Sequence, residues 1–514
     1  MRRVPRHRLA FKPATHGFGS HDPSAALFAD ERVVYGIEEE RLCREKHATG
    51  TFPHRAIDAC LEYAGLSLSD LDEIVLPYEP DRWVDTRLIE ASYKRGVAER
   101  EDVDELSYLL GVVDNTISTW RGAVDAVRTE LADAHGEPVP EILTRQHHRC
   151  HAASAFHFSP FTEAAVVTVD GSGETDSTVA WHGTESGLER VATYDYPNSL
   201  GQFFGTITEF LGFRYGNGEG KVMGLAPYGN DDPEIRERFE TALTRGASYD
   251  VTALTELGVS AGVRTLSAWF DREPTESTAS FDQWEKNLAH EAQLFLEATV
   301  LDIVETHCAA LDCRNVCLAG GVVLNCKMNG RVEQSEAVDE TFVQPVAHDA
   351  GLALGAGVVD SPPGVVPELP SVYLGDGFDA ERLQAVFDRE GVTYDRPDDP
   401  IARVAERLAD GELLGWFQGR TEMGPRALGN RSILADPRRV VARDAINTRV
   451  KHREQWRPFA PSMTPTAAER YLVGADRAPF MIRAFDTTDS AETEIPAVLH
   501  PADGSTRPQV LTPE

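Results

Sequence analysis

The chain has 514 residues, with 83 Asp and Glu against 50 Lys and Arg, a formal net charge of −33. That length supports roughly two to four domains with substantial cores, and no apolar run of about 18 residues is present to span a membrane. The acidity argues against a large nucleic-acid footprint, which would need clustered basic charge.

Only seven of the 50 basic residues are lysines: Lys12, Lys46, Lys94, Lys221, Lys286, Lys327 and Lys451. An acidic, lysine-poor surface suits a solution of high salt, where charge repulsion is screened, so a halophilic source is expected. The N-terminus is basic but has no apolar stretch of a secretory signal, so a cytoplasmic location is expected. Seven cysteines show no paired spacing. Cys308, Cys313 and Cys317 fall on a predicted helix end and the strand after it, where buried thiols are expected rather than zinc ligands.

In chain order, Leu9-Ala10-Phe11 begins a strand. A loop with His21-Asp22-Pro23-Ser24 follows, then Ala25 to Phe28, a turn, and Val33 to Ile37. This predicts consecutive antiparallel strands. A helix opens at Phe52-Pro53, with Ile57, Cys60, Leu61 and Ala64 on one face, and ends at Gly65. Residues 72–77 read as a strand, and 79–135 as a charged helical insertion in which 99–105 form a solvated acidic run.

His147 and His151 stand four residues apart at the start of a helix-forming stretch, Ala152 to Phe156. At that spacing the two imidazoles share a helix face and can share one metal ion, with His148 pointing away. A pair of surface or capping histidines is the plainer alternative. A buried strand at 164–169 leads to a tight turn, Asp170-Gly171-Ser172-Gly173-Glu174, and a returning strand at 178–181. Two strand pairs with an aspartate at each turn predict a duplicated, actin-like ATPase and sugar-kinase architecture. Its glycine turns bring backbone N–H groups close to an anion.

Residues 200–229 read as a glycine-rich loop holding Glu219 and Lys221, a pair better explained by a ligand than by packing. Residues 285–311 have helical apolar spacing. The strand 316–319 runs into Gly320-Gly321, where a base or ribose can lie on the backbone and Asn325 can bond to it. A strand ending at Gln344-Pro345 precedes a helix start at Asp349, which is either a cap or a third metal ligand. Residues 361–371 read as a stiff linker between a domain at 1–360 and a second at 372–514. The second holds a helix at 401–408, a strand at 414–417, and an anion-seeking run from Gly419 to Ser432 with Lys451 to Glu454 and Arg457 to Pro461 behind it. Arginine forks match phosphate oxygens.

These segments resemble the NodU/CmcH family of O-carbamoyltransferases from about residue 8 to 510: HDPSAAL, EEERLCREKH, HHRCHAASAF, VDGSGE, EGKVMGLAPYG, LAGGVVLN, DAGLALGAG, GRTEMGPRALGNRSILADP and VKHREQWRPFAPS. The resemblance implies an α/β chain, in which an actin-like (ASKHA) duplicated ribonuclease-H-like region, TsaD-like, is followed by a YrdC-like domain. It implies that carbamoyl phosphate and ATP, with Mg2+, give carbamoyl-adenylate, whose carbamoyl group then passes to a hydroxyl of a small polar metabolite. His147, His151 and Asp349 would hold a divalent metal: Fe2+ by the family pattern, with Zn2+ or Mn2+ also compatible. His21 would be the general base with Lys46 beside it. Asp170, Gly171, Glu219, Gly320, Gly321 and Asn325 would hold the adenylate. Arg426, Arg431, Ser432, Lys451, Arg457 and Arg507 would bind carbamoyl phosphate and the ATP phosphates. Relatives continue past the segment His500 to Gln509 with an Asn-Thr-Ser-Phe-Asn motif. A C-terminally shortened second domain is therefore expected, through truncation or through a separately encoded fragment. Residues 79–135 either shape the acceptor pocket or serve a homodimer contact. Threonylcarbamoyl transfer to tRNA, and an inactive nucleotide-binding relic, are the alternative functions.

Overall fold

The computed structural model describes residues 5–15, 19–100, 104–136, 138–276, 278, 280–369, 371–474 and 477–511. The first sheet contains β1 (His7–Lys12), β2 (Ser24–Ala29), β3 (Arg32–Glu38), β4 (Glu73–Leu76) and β5 (Glu141–Thr144), in the order β3-β2-β1-β4-β5. β1 runs antiparallel to β2 and parallel to β4. β1 and β2 are buried along nearly their whole length, and their unbroken apolar runs fit strands covered on both faces.

The second sheet contains β6 (Ala164–Gly173), β7 (Asp176–Thr184), β8 (Gly187–Asp195), β9 (Asn315–Ala319) and β10 (Glu340–Val343), in the order β10-β9-β6-β7-β8. Here too the first strand is antiparallel to the second and parallel to the fourth. Two sheets with one topology make the duplicated ribonuclease-H-like, actin-like α/β fold that the repeated hairpins predict. β8 was not foreseen, because none of its residues is fully buried and its half-buried positions include polar side chains.

The insertion is helical throughout its described part: Pro80–Trp83, Thr86–Ala98, Glu105–Arg121 and Ala123–His135. Trp83 stacks on Trp120 at 4.5 Å, which ties its first and third helices together. Glu99, Arg100, Asp104 and Glu105 are exposed, as the acidic run predicts, while 101–103 lie outside the described residues. The helix His54–Ala64 ends at Gly65, whose φ of 66° is left-handed, although Ala64 is exposed rather than on the buried face. The helix Gln283–Leu311 opens with a reciprocal capping box between Asp282 and Glu285 and buries the predicted apolar stripe.

Three local expectations are corrected. Residues 200–229 are largely helical, with helices Leu200–Phe210 and Glu219–Leu225. Several glycines there serve close packing: a Cβ on Gly201 would come within 2.7 Å of Gly171, and one on Gly205 within 2.3 Å of the Tyr215 ring. The turn after β6 comes at Glu174, because Asp170 to Gly173 remain in the strand across a register shift. Asp349 is not a cap: the N-cap position is His348, and no side chain caps this turn, Asp349–Gly351.

The chain divides into unit 1, Met1–Pro370, and unit 2, Ser371–Glu514, a boundary inside the expected linker. Part of that linker is packed, since Val366 and Leu369 are buried and the Leu369 N–H donates to the Phe158 carbonyl. Unit 2 pairs β11 (Leu414–Phe417) antiparallel with β12 (Arg431–Leu434), and β13 (Ser462–Met463) parallel with β14 (Gln509–Val510). One of its cores gathers Met463, Leu472, Phe485, Ile495, Leu499 and Val510. Among the described residues no helix is long and apolar enough to cross a membrane.

Candidate metal centre and flanking sites

The helix His147–Phe156 places His147 and His151 on one face, with ring centroids 4.8 Å apart. Its first turn is fixed from outside. Gln146 accepts from the Arg149 N–H, and the buried Glu174 carboxylate accepts from the N–H groups of His147 and Glu79. Burial pushes Glu174 up to about 8, against those hydrogen bonds and Arg82. His148 turns away from the pair, as its helical position predicts, yet it is fully buried. Its Nδ1 lies 2.9 Å from Thr168 Oγ1, and burial depresses its basicity strongly.

Asp170 at the end of β6 and Asp349 after β10 close the group. Ligand atoms of His147, His151, Asp170 and Asp349 all lie within 4.8 Å of one another, and all four residues are buried. His151 Nε2 is 3.0 Å from Asp170 and 3.7 Å from Asp349; His147 Nε2 is 3.7 and 3.9 Å from them. Donors each about 2 Å from a common ion stand roughly 3–4 Å apart, so these separations fit a shared cation. The chemistry fits as well. Among the described residues, no ring nitrogen of His147 or His151 makes a well-aligned hydrogen bond, although both rings are buried. Burial disfavours a charged imidazole, but the two carboxylates outweigh it and push His151 up to about 9. Two imidazoles and two carboxylates in one buried space call for a positive charge.

Part of that charge comes from Lys12, which the sequence did not single out. It is fully buried, its Nζ is 3.2 Å from Asp349 Oδ2, and it donates to the carbonyl of His21. Tyr78 Oη is 3.5 Å from the same Asp349 oxygen, and burial together with Asp349 and Asp170 pushes this phenol far up. The lysine closing the apolar run Leu9-Ala10-Phe11 of β1 was the available signal for Lys12.

The sequence assigned Asp170 to nucleotide binding; the structure brings it into the histidine group. Its oxygens accept from Gly171 N–H at 2.6 Å and Gly321 N–H at 3.0 Å. Gly320 has a φ of +102°, and a Cβ there would lie 2.2 Å from the Val169 carbonyl oxygen, so the turn requires glycine. The N–H groups of Gly171 and Gly321 thus converge on one carboxylate, while the Gly320 N–H donates to the Ala347 carbonyl. Asn325 lies elsewhere in its contacts: it caps the helix Cys326–Glu333 and exchanges two hydrogen bonds with Gln293 at 2.9 Å.

His21 sits on the loop above β2, with its side chain about half exposed, and pairs with Asp22 at 2.8 Å. Lys46 donates to Asn217 Oδ1, and Glu219 accepts from the Gly216 N–H at 2.7 Å; burial raises the Glu219 carboxyl.

In unit 2 the buried Glu422 accepts from the N–H groups of Leu428, Asn430 and Arg431 and so shapes the Gly424–Asn430 loop. The Arg431 guanidinium donates to the carbonyls of Gln418, Asn430, Asp376 and Gly419 and stacks 3.6 Å over Phe417. Ser432 Oγ accepts from Gly429 N–H. Both side chains are committed to the loop. Arg426 is half-buried, Lys451 is exposed, and Arg457 lies 3.6 Å from Glu454. Burial, with Arg457 and then Arg507 nearby, pulls Arg453 down to about 10 despite Glu454. Arg453, absent from the predicted set, therefore belongs to a crowded arginine group with Arg457 and Arg507.

Family models for the carbamoyltransferase N-terminus and C-terminus match residues 15–358 and 405–514. An uncharacterised protein of Synechocystis sp. is 32% identical over 96% of this chain and 85% of its own length. Nodulation protein NolNO of Sinorhizobium fredii is 36% identical over 96% of this chain and 70% of its own. A solved HypF in its phosphate- and nucleotide-bound form aligns with 69% of this chain and 55% of its own at 12% identity, with a TM-score of 0.38, too low to add to the topology. With both family models and relatives spanning nearly the whole sequence, the chain belongs to the NodU-like carbamoyltransferase family and is a carbamoyl-transferring enzyme.

Proposed function

We propose that the chain is an ATP-dependent O-carbamoyltransferase acting on a hydroxyl of a small polar metabolite. The observation that carries the reading is the buried group of His147, His151, Asp170 and Asp349, joined through Lys12 to the loop of His21. Carbamoyl phosphate first loses its phosphate to water, and the carbamate oxygen then attacks the α-phosphorus of ATP, giving carbamoyl-adenylate and releasing pyrophosphate. Arg453, Arg457 and Arg507, with Lys451 and with Arg426 on the loop that Arg431 and Ser432 hold in shape, supply the positive charge for the phosphates of both. The adenylate then meets the turn of Gly171, Gly320 and Gly321, with Glu219 as a further contact. His147, His151, Asp170 and Asp349 would hold a divalent ion, and Fe2+, Zn2+ and Mn2+ all accept such a donor set. A bound ion would polarise the carbamoyl group and neutralise charge on departing AMP.

In the transfer step the acceptor oxygen attacks the carbamoyl carbon, its proton passes to His21, and the bond from that carbon to the AMP phosphate oxygen breaks. By the family resemblance Lys46, which donates to Asn217 here, would stand beside the base. Geometry supports this for His21, whose half-exposed ring can meet an incoming hydroxyl.

The test is AMP release. The full chain, supplied with carbamoyl phosphate and ATP, should release AMP only when both are present, and His151→Ala should lose the activity. AMP release that ignores carbamoyl phosphate, or carbamoyl transfer confined to tRNA, would overturn the reading.

A further inference from the structure

Asp22 carries two histidines. Its Oδ2 lies 2.8 Å from His21 Nδ1, and its Oδ1 lies 2.8 Å from His47 Nδ1. The backbone locks the same pair of loops together: Asp22 N–H donates to the His47 carbonyl, Gly50 N–H to Ser20, and His47 N–H to Glu40 Oε2 at 2.7 Å. Asp22 and His47 both adopt left-handed backbone conformations, with φ of 55° and 65°. Such conformations cost of order 1–3 kcal/mol each outside glycine and persist where surrounding contacts impose them.

A loop staple needs one histidine and is indifferent to which nitrogen it uses. Here both rings present Nδ1 to one carboxylate. An ionised carboxylate only accepts hydrogen bonds, so each Nδ1 must carry a proton. In the neutral ring the lone pair is then on Nε2. Burial alone would raise Asp22 and lower His21, yet the hydrogen bonds between them prevail: Asp22 is held far below the usual carboxylate range and His21 is raised.

We infer that Asp22 is a positioning residue for carbamoyl transfer: it holds His21 and His47 in their Nδ1-protonated tautomers and leaves Nε2 of the half-exposed His21 ring to take the acceptor's proton. The inference rests on the proposed role of His21 as base. As the acceptor oxygen bonds to the carbamoyl carbon, its proton moves to His21 Nε2 and AMP departs with the electrons of the broken C–O bond. The imidazolium so formed keeps its Nδ1–H on the Asp22 carboxylate, which stabilises it, as a buried aspartate does for the base histidine of a catalytic triad.

The experiment uses the full chain labelled with 15N-histidine and read by long-range 1H–15N correlation, with His21→Asn and His47→Asn to assign the rings. Both rings should be protonated at Nδ1. An amide at position 22 offers one acceptor and one donor, so in Asp22→Asn at least one ring must surrender its Nδ1 proton. AMP release from synthetic carbamoyl-adenylate, with water as the stand-in hydroxyl, should then fall about 10²–10⁴-fold in kcat, with KM and metal content unchanged. Asp22→Glu should recover part of the rate. A wild-type His21 protonated only at Nε2 overturns the inference without a variant, as does Asp22→Asn with changed tautomers and a wild-type kcat. Normal turnover in His21→Asn counts instead against the parent reading of the base.

Discussion

His151 and Asp349 show how burial turns a charged side chain into a functional statement. Each is costly alone: His151 is matched by Asp170 and Asp349, and Asp349 by the two histidines, Lys12 and Tyr78. The purified protein should carry one divalent ion per chain. In elemental analysis His151→Ala should retain less than about a tenth of it, since one of few ligands is gone. Asp170→Asn should weaken metal retention as well, and a mutant that holds the full complement would remove Asp170 from the group. The histidines were legible because a helix repeats every four residues, and Asp349 because it opens a helix after a strand. Asp170 was legible only as a turn residue. Its approach to His151 depends on β6 and the histidine helix packing across more than a dozen intervening residues, which no local pattern encodes.

At the scale of elements, the helix Leu352–Val358 follows Asp349 and lies backbone to backbone on the histidine helix. A Cβ on Gly355 would meet the Cys150 carbonyl oxygen at 1.8 Å. Gly355→Ala should push the two helices apart and lower metal content though it removes no ligand; unchanged content would show that the spacing tolerates a methyl group. His157 at the end of the histidine helix gives a pH signature. Burial pulls it down to about 4, Glu31 opposing and Arg149 assisting. The unfolded ring takes up its proton near 6.5, before the folded ring does, so this contribution is complete above pH 6.5. It is lost as pH falls from there through about 4, a span worth roughly 3 kcal/mol at most. Denaturation midpoints of His157→Gln should therefore change less over that interval than those of the wild type. The helix Gln283–Leu311 was legible from its apolar periodicity alone, and His54–Ala64 also from the glycine that ends it. The helix Leu200–Phe210 was not, because Gly201 and Gly205 answer to neighbours, Gly171 and Tyr215, rather than to helix propensity.

Over the whole molecule, a net charge of −33 sets a self-repulsion that salt relieves. The Debye length shrinks from about 10 Å at 0.1 M to about 3 Å at 1 M, so the denaturation temperature should rise as NaCl increases across that range. A flat or falling midpoint would contradict the halophilic reading of the composition. Against this acidic background the arginines near Arg453 in unit 2 stand out, and the histidine–aspartate group lies in unit 1. The central claim is that the carbamoyl group reaches a hydroxyl through the buried group of unit 1. The most direct measurement is 13C NMR of the full chain with 13C-carbamoyl phosphate, ATP and a panel of polyhydroxylated metabolites. The account predicts a new O-carbamoyl ester signal with one acceptor class, formed with AMP in equal amount and absent in His151→Ala. An ester formed at the same rate by His151→Ala, or 13C carried only to tRNA, would contradict it.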